Sequence, residues 1–255
     1  MKELKEYLNL TGEVVLMSEP NHFDFEHAYI ATRKKEERVL NDKEVLGLPE
    51  IGKQNPHFRE WKIRKHSSSK LIECLYKRRL TDKDWILDVG AGNGWFSNIL
   101  AKELKANVLA IDINMHELEQ AARVFNQKNV IFAYLDLLKK PLEHQSCATI
   151  IFNSSFQYFD DPKQVLDLCL KMLSKDGEIH IIDSPIYEQD KIAAAKQRSL
   201  EYYLQLDCQH MAEYYHHHNK SLFEQYNTTY LYQPNSDKPA RREFDSPFPW
   251  LLIKA

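Results

Sequence analysis

Residues 85–94 read Trp-Ile-Leu-Asp-Val-Gly-Ala-Gly-Asn-Gly: a strand-length apolar run that contains one acid and then breaks into three alternating glycines. A helical pattern follows, from about Asn93 to Lys105. Strand, glycine turn and helix in that order make a βα corner that binds a phosphate or a nucleoside. Asp88 stands two positions before Gly90, where a pyrophosphate would meet a negative charge, so the corner suits a neutral or cationic ligand. Dinucleotide turns read G-x-G-x-x-G, whereas this one reads G-x-G-x-G and runs into the bulky Trp95. Spacing and charge together argue against NAD or FAD.

The rest of the chain extends that corner into a fold. β-Branched-rich runs at Trp85–Val89, Val108–Ile111, Val130–Leu135, Ala148–Phe152 and Glu178–Ile182 alternate with helical stretches near 93–105, 114–127 and 161–174. Such alternation predicts βαβ units with right-handed crossovers. Lys175-Asp176-Gly177 reads as a helix stop and turn. Thr228–Tyr232 and Trp250–Ile253 have no helix between them and predict an antiparallel addition at the sheet edge. The expected fold is α/β and doubly wound, with a mostly parallel seven-stranded sheet and an antiparallel edge strand. Residues 1–80 read as an N-terminal helical extension or lid, with breaks at Gly47-Leu48-Pro49 and Asn55-Pro56 and a helix from about His57 to Arg79. Residues 81–255 form the core, within which 186–225 read as a helical cap over the carboxyl edge of the sheet.

Composition excludes several classes of function. The net charge of −3 gives no basic field for nucleic acid, and Arg33-Lys34-Lys35, Lys62 to Lys65 and Lys77-Arg78-Arg79 read as solvated helix faces. No apolar run reaches the roughly 20 residues that span a bilayer, and the N-terminus lacks a signal peptide's apolar core. Cys74, Cys147, Cys169 and Cys208 form no CxxC pair, so we expect buried thiols, no metal site and a cytoplasmic protein.

Acids recur at the predicted strand ends. Asp112 lies 22 residues after Gly90, where a carboxylate can accept both ribose hydroxyls of a nucleoside; its ordinary alternative is to N-cap the helix starting near Asn114. Asp136 follows the third strand and can accept from an adenine amino group. The fourth strand ends in Phe-Asn-Ser-Ser-Phe-Gln-Tyr-Phe, so all these positions meet at the carboxyl edge. The constellation resembles the class I S-adenosylmethionine-dependent methyltransferases of the small-molecule group, over about residues 84–183 and more loosely the final strands. By that resemblance Asp88 and the turn of Gly90, Ala91, Gly92, Asn93 and Gly94 hold the amino acid part of S-adenosylmethionine. The same resemblance implies that Asp112 takes the ribose, Ile113 flanks the adenine, Asp136 and Leu137 face its edge and ring, and Asn153 and Ser154 lie near the methionine moiety and the methyl group. Enzymes of this fold that methylate adenine or glutamine amino groups resemble each other in an Asn/Asp-Pro-Pro-aromatic motif. This chain has Asn153-Ser154-Ser155-Phe156 instead, which favours a small-molecule acceptor over nucleic acid or protein.

Methyl transfer is an in-line displacement, and a base is needed only where the acceptor carries a proton. Helical spacing puts His210, Tyr214 and His217 or His218 on one face of the cap, and a histidine there can act as that base. Packing over the sheet with solvated histidines is the plainer reading. Arg64 is a candidate partner for the cofactor carboxylate and Trp61 a shield over it, against an amphipathic helix with Trp61 in the core. Tyr187, Tyr202, Tyr203, Tyr214 and Tyr215 suit an aromatic or amphipathic acceptor, or simply fill the interface of cap and core. Two rivals stand beside the enzyme: a non-catalytic cofactor-binding module and a nicotinamide-dependent oxidoreductase.

Overall fold

The computed structural model describes residues 3–8, 12–234 and 243–255. In chain order the strands are β1 (Val15–Leu16), β2 (Trp85–Val89), β3 (Asn107–Asp112), β4 (Val130–Tyr134), β5 (Cys147–Asn153), β6 (Leu173–Ile182), β7 (Ile186–Tyr187), β8 (His218–Asn219), β9 (Asn227–Tyr232) and β10 (Trp250–Lys254). The α-helices are α1 (Phe23–Lys35), α2 (Asp42–Gly47), α3 (Phe58–Tyr76), α4 (Trp95–Glu103), α5 (Met115–Val124), α6 (Pro162–Met172) and α7 (Ile192–Gln205). The main sheet has the order β1-β4-β3-β2-β5-β6-β10-β9. Strands β1 to β6 run parallel, and β10 is antiparallel to both β6 and β9. The seven expected strands are all present. The eighth, β1, pairs Val15 with Ala133 and Leu16 with Tyr134, and two residues are too short to show as an apolar run.

Side chains alternate across the sheet and divide the core in two. Trp85, Leu87 and Val89 face a cluster completed by Val165, Leu166 and Cys169 of α6 and by Phe223. Ile86 faces the other cluster, built with Leu71 and Leu75 of α3, Phe96 and Leu100 of α4, and Leu118 of α5. Helices cover both faces, so the parallel strands are buried on both sides. Asp88 falls on the α3–α4–α5 side by the same alternation.

Lys175-Asp176-Gly177 differs from the expectation of a helix stop. α6 ends at Met172 and β6 begins at once, its pairing with β5 jumping from Cys147↔Leu173 to Thr149↔Glu178. The residues between loop out of register, so the turn chemistry serves a strand irregularity. The order of strands puts β2 beside both β3 and β5, the reversal point where open sheets of this kind leave a crevice at their carboxyl edge.

Candidate active site

The glycine turn is held from below and from the side. Gly90, Gly92 and Gly94 have φ of 72°, 54° and 72°, a left-handed path that glycine follows without a Cβ clash. The Gly90 and Ala91 N–H groups both donate to the Ile111 carbonyl, at 2.9 and 3.0 Å. Asp112 accepts from the Gly92 N–H at 2.7 Å on one oxygen and from the Ile113 and Asn114 N–H groups at 2.7 and 2.9 Å on the other. The N-cap of α5 is Asn114, which accepts from the Glu117 N–H, so Asp112 is released from that ordinary duty. Burial raises the Asp112 carboxyl despite those three amides.

Asp88 lies beneath the turn. It is 1% exposed, accepts from the Ser97 hydroxyl at 2.6 Å, and burial pushes it up to about 7. It lines no cavity at this edge, because the alternation of β2 turns it toward α4. Glu117, which the sequence reading missed, comes much closer. It lies on α5 against Gly92, where an added Cβ would meet its Oε2 at 3.0 Å, and burial followed by the Asp112 charge pushes it up to about 7. Its signal in sequence was slight: one of the two acids of α5.

Three adjoining cavities run along the carboxyl edge. The first, about 480 Å³, is lined by Gly90, Gly92, Asp112, Ile113, Asp136, Leu137, Ser154 and Glu117, together with aromatic side chains of α1 and the cap. The second, about 100 Å³, is lined by Gly90, Ala91, Gly92, Asn93, Asn153, Ser154, Trp61, Arg64 and Glu117, with Tyr29 and Arg33 of α1. The third, about 360 Å³, is lined by His57, Arg59, Ile63, Arg64, Ser154, Asp183 and Phe248 among others. Of the sequence-derived cofactor set, only Asp88 and Gly94 line none of them. Gly94 instead lets α4 approach the sheet, since a Cβ there would meet Phe132 at 2.5 Å and Ala121 at 2.7 Å.

The N-terminal helices close this edge. His22 Nε2 lies 2.7 Å from Asp136 Oδ2, and Lys139 Nζ 3.3 Å from the same oxygen. Arg33, read from sequence as solvated, points inward: it donates to Glu36 at 2.7 Å and to the Tyr158 hydroxyl at 2.9 Å, with its guanidinium 4.6 Å from the Tyr29 ring centre. Arg78 departs from the solvated reading too, donating to the Ala148 carbonyl at 3.0 Å. Trp61 is both wall and core: it is 9% exposed, stacks edge-on against Trp95 at 5.4 Å and carries Arg64 at 5.3 Å over its ring.

The catalytic trio expected in the cap does not assemble. His210 and Tyr214 sit on a 3-10 helix, Gln209–Tyr214, whose tighter turn breaks the assumed α-helical spacing. The chain then becomes extended through β8, so alternate residues face apart: His216 and His218 stack at 6.3 Å, while His217 turns away to the Ser199 hydroxyl at 2.9 Å. His210 is exposed, and only Tyr214 of the three lines a cavity, in the company of His216. The cap itself is one α-helix, α7, with short 3-10 turns on either side.

The fold is the Rossmann-like one of the class I methyltransferases, with its crevice at the carboxyl edge of the parallel strands. A family described as "Methyltransferase domain" matches residues 80–235, and the chain belongs to it. A malonyl-[acyl-carrier protein] O-methyltransferase of Acetivibrio thermocellus is 33% identical over 137 residues, covering 53% of this chain and 48% of the relative. Its counterpart in Bacillus anthracis is 32% identical over 117 residues, covering 45% and 43%. The chain thus spans about half the length of the curated relatives it matches. Among solved structures, geranyl diphosphate C-methyltransferase from Streptomyces coelicolor A3(2) superposes with a TM-score of 0.54 at 12% identity, covering 90% of this chain and 97% of that one. That likeness is one of fold.

Proposed function

We propose that the chain transfers the methyl group of S-adenosylmethionine to a small-molecule acceptor. The observation that carries this reading is the position of Ser154, which lines all three cavities at the tip of β5. Cofactor on one side and acceptor on the other would meet there. The donor set suits the cofactor: acids where it has hydroxyls and an ammonium, a glycine turn, and the buried Asn153 Oδ1, which has no partner among the described residues. When bound, S-adenosylmethionine supplies an electrophilic methyl group on a sulfonium.

In this reading Asp112 orients the ribose, and Asp136 with Leu137 and Ile113 receives the adenine in the first cavity. Glu117 and Asn153 accept from the ammonium in the second, where Arg64 takes the carboxylate. Arg64 commits its Nε to Glu60 at 3.0 Å and has terminal nitrogens to spare. Residues 1–80 close over the cofactor and residues 186–225 roof it, excluding water and fixing the reacting groups in line. Calorimetry with S-adenosylhomocysteine and with NADH tests the cofactor. Binding of the former alone supports the reading, and tighter binding of NADH sinks it.

A second reading follows from the 33% likeness to a malonyl-[acyl-carrier protein] O-methyltransferase. Its acceptor would be a carboxylate on a carrier. Methylation of a malonyl thioester in preference to any small amine or alcohol would select it.

A further inference from the structure

At the tips of β5 and β6 two non-glycine residues adopt the left-handed region, Ser154 at φ 58° and Asp183 at φ 49°. Such strain persists at sites where a side chain must be held in place. The two are joined, for the Ser154 hydroxyl donates to the Asp183 carbonyl at 2.9 Å. Asp183 is 6% exposed and lines the third cavity. Its Oδ1 accepts from the Ser67 hydroxyl at 2.9 Å and the Ser246 hydroxyl at 2.7 Å, while Oδ2 is buried with no partner among the described residues. A buried carboxylate oxygen left in that condition is costly unless a ligand completes it.

The neighbouring charges do not complete it. Glu60 is paired with Arg38 and Arg64, and Asp245 with His66 and Lys70. Burial raises the Asp183 carboxyl above its usual range against the Ser246 and Ser67 hydrogen bonds and the nearby Arg64. The rest of the cavity wall includes Pro56, Ile63, Pro247 and Phe248, an apolar surface fit for the body of a small molecule.

Resting on the methyltransferase reading above, we propose that the third cavity is the acceptor site and that Asp183 is its base. The acceptor is a small molecule with an apolar or aromatic body and a proton-bearing nucleophile, an amine or a hydroxyl. As the nucleophile's lone pair forms the new bond to the methyl carbon, the carbon–sulfur bond breaks with its electrons going to sulfur. The proton of the acceptor passes to Asp183. A carboxylate acceptor has no proton to give and would be repelled by an ionised Asp183.

The test uses the whole chain with S-adenosylhomocysteine or radiolabelled S-adenosylmethionine, and tyramine, phenethylamine, catechol and malonyl-CoA as probes. We expect at least one of the first three to bind the S-adenosylhomocysteine complex and to be methylated. Asp183→Asn should slow that transfer by about 10²–10⁴-fold and abolish its rise with pH. S-adenosylhomocysteine affinity should stay within about twofold, since Asp183 lies outside the first two cavities. Ile63→Trp, at a residue that lines the third cavity and neither of the first two, should block probe binding and leave cofactor binding intact. Binding of S-adenosylhomocysteine with no binding by the three probes overturns the acceptor site alone. Transfer to malonyl-CoA only, or wild-type transfer by Asp183→Asn, also overturns it. Failure of S-adenosylhomocysteine itself to bind would be the failure of the cofactor reading.

Discussion

Two carboxyls beside the glycine turn, Asp88 and Glu117, are each pushed up to about 7. In the unfolded chain they titrate near 4, so between about pH 4 and 7 the fold holds protons that the unfolded chain has lost. The contribution of these two groups to stability is therefore greatest below that window, falls as pH rises through it, and levels off above 7. Glu117→Gln removes one of the two groups. The variant should unfold at higher urea than the parent at pH 7.5 and show a shallower loss between pH 5 and 7; equal slopes would deny Glu117 its raised pKa. The same variant should bind S-adenosylhomocysteine more weakly if its carboxylate meets the ammonium. In the proposed site Asp112 would carry a double duty, since its oxygens already hold three amides of the turn and the following loop. Asp112→Ala should weaken S-adenosylhomocysteine by about 1–3 kcal/mol in calorimetry and also lower the unfolding temperature. An unchanged affinity would remove it from the ribose.

At the scale of elements, α4 depends on Gly94. Its left-handed φ and the close approach of Phe132 and Ala121 leave no room for a methyl group. Gly94→Ala should destabilise the fold by about 1–3 kcal/mol through overpacking, as read by denaturant titration. A neutral substitution would mean that α4 can back away freely. Helix α1 is fastened differently, by polar contacts at its start: His22 to Asp136, and the Ser18 hydroxyl accepting from the Asp136 N–H at 2.9 Å. Those contacts sit on the wall of the first cavity. His22→Ala should speed amide exchange through residues 18–35, and S-adenosylhomocysteine should slow exchange there in the parent. Exchange insensitive to both would make α1 a static wall. The cap shows where reading by period fails. His210, Tyr214 and His217 share a helical face only if the segment is an α-helix, and a six-residue 3-10 turn running into a strand scatters them.

Across the whole molecule the ligand should act as a staple, since the first cavity is walled by α1, four strand ends, α5 and the cap. At about 100 times its dissociation constant, S-adenosylhomocysteine should stabilise the fold by about 2.7 kcal/mol. For a chain of this size that is a rise of roughly 5–10 °C in unfolding temperature. NADH should produce none, and a shift by NADH of equal size would point back to an oxidoreductase. No helix among the described residues is long and apolar enough to cross a membrane.

The corner at residues 85–94, the alternation of strands and helices, and the acids at 112 and 136 were legible in the chain because they are local. Each is a short stretch whose period, turn residues or charge speaks for itself. Glu117, Arg33, His22 and Asp183 were not, since each is an ordinary charged residue until the fold brings it to an edge made by distant segments. Asp183 meets Ser67 and Ser246 across 116 and 63 positions of sequence. Asp88 is the mirror case, the most conspicuous acid in the sequence, turned under the sheet by the two-residue alternation of a strand. The sequence by itself determined which cofactor chemistry the corner suits, through backbone freedom and charge. Only the tertiary structure decided which side chains share a cavity beyond it, because burial and long-range contact set their charge, partners and reach.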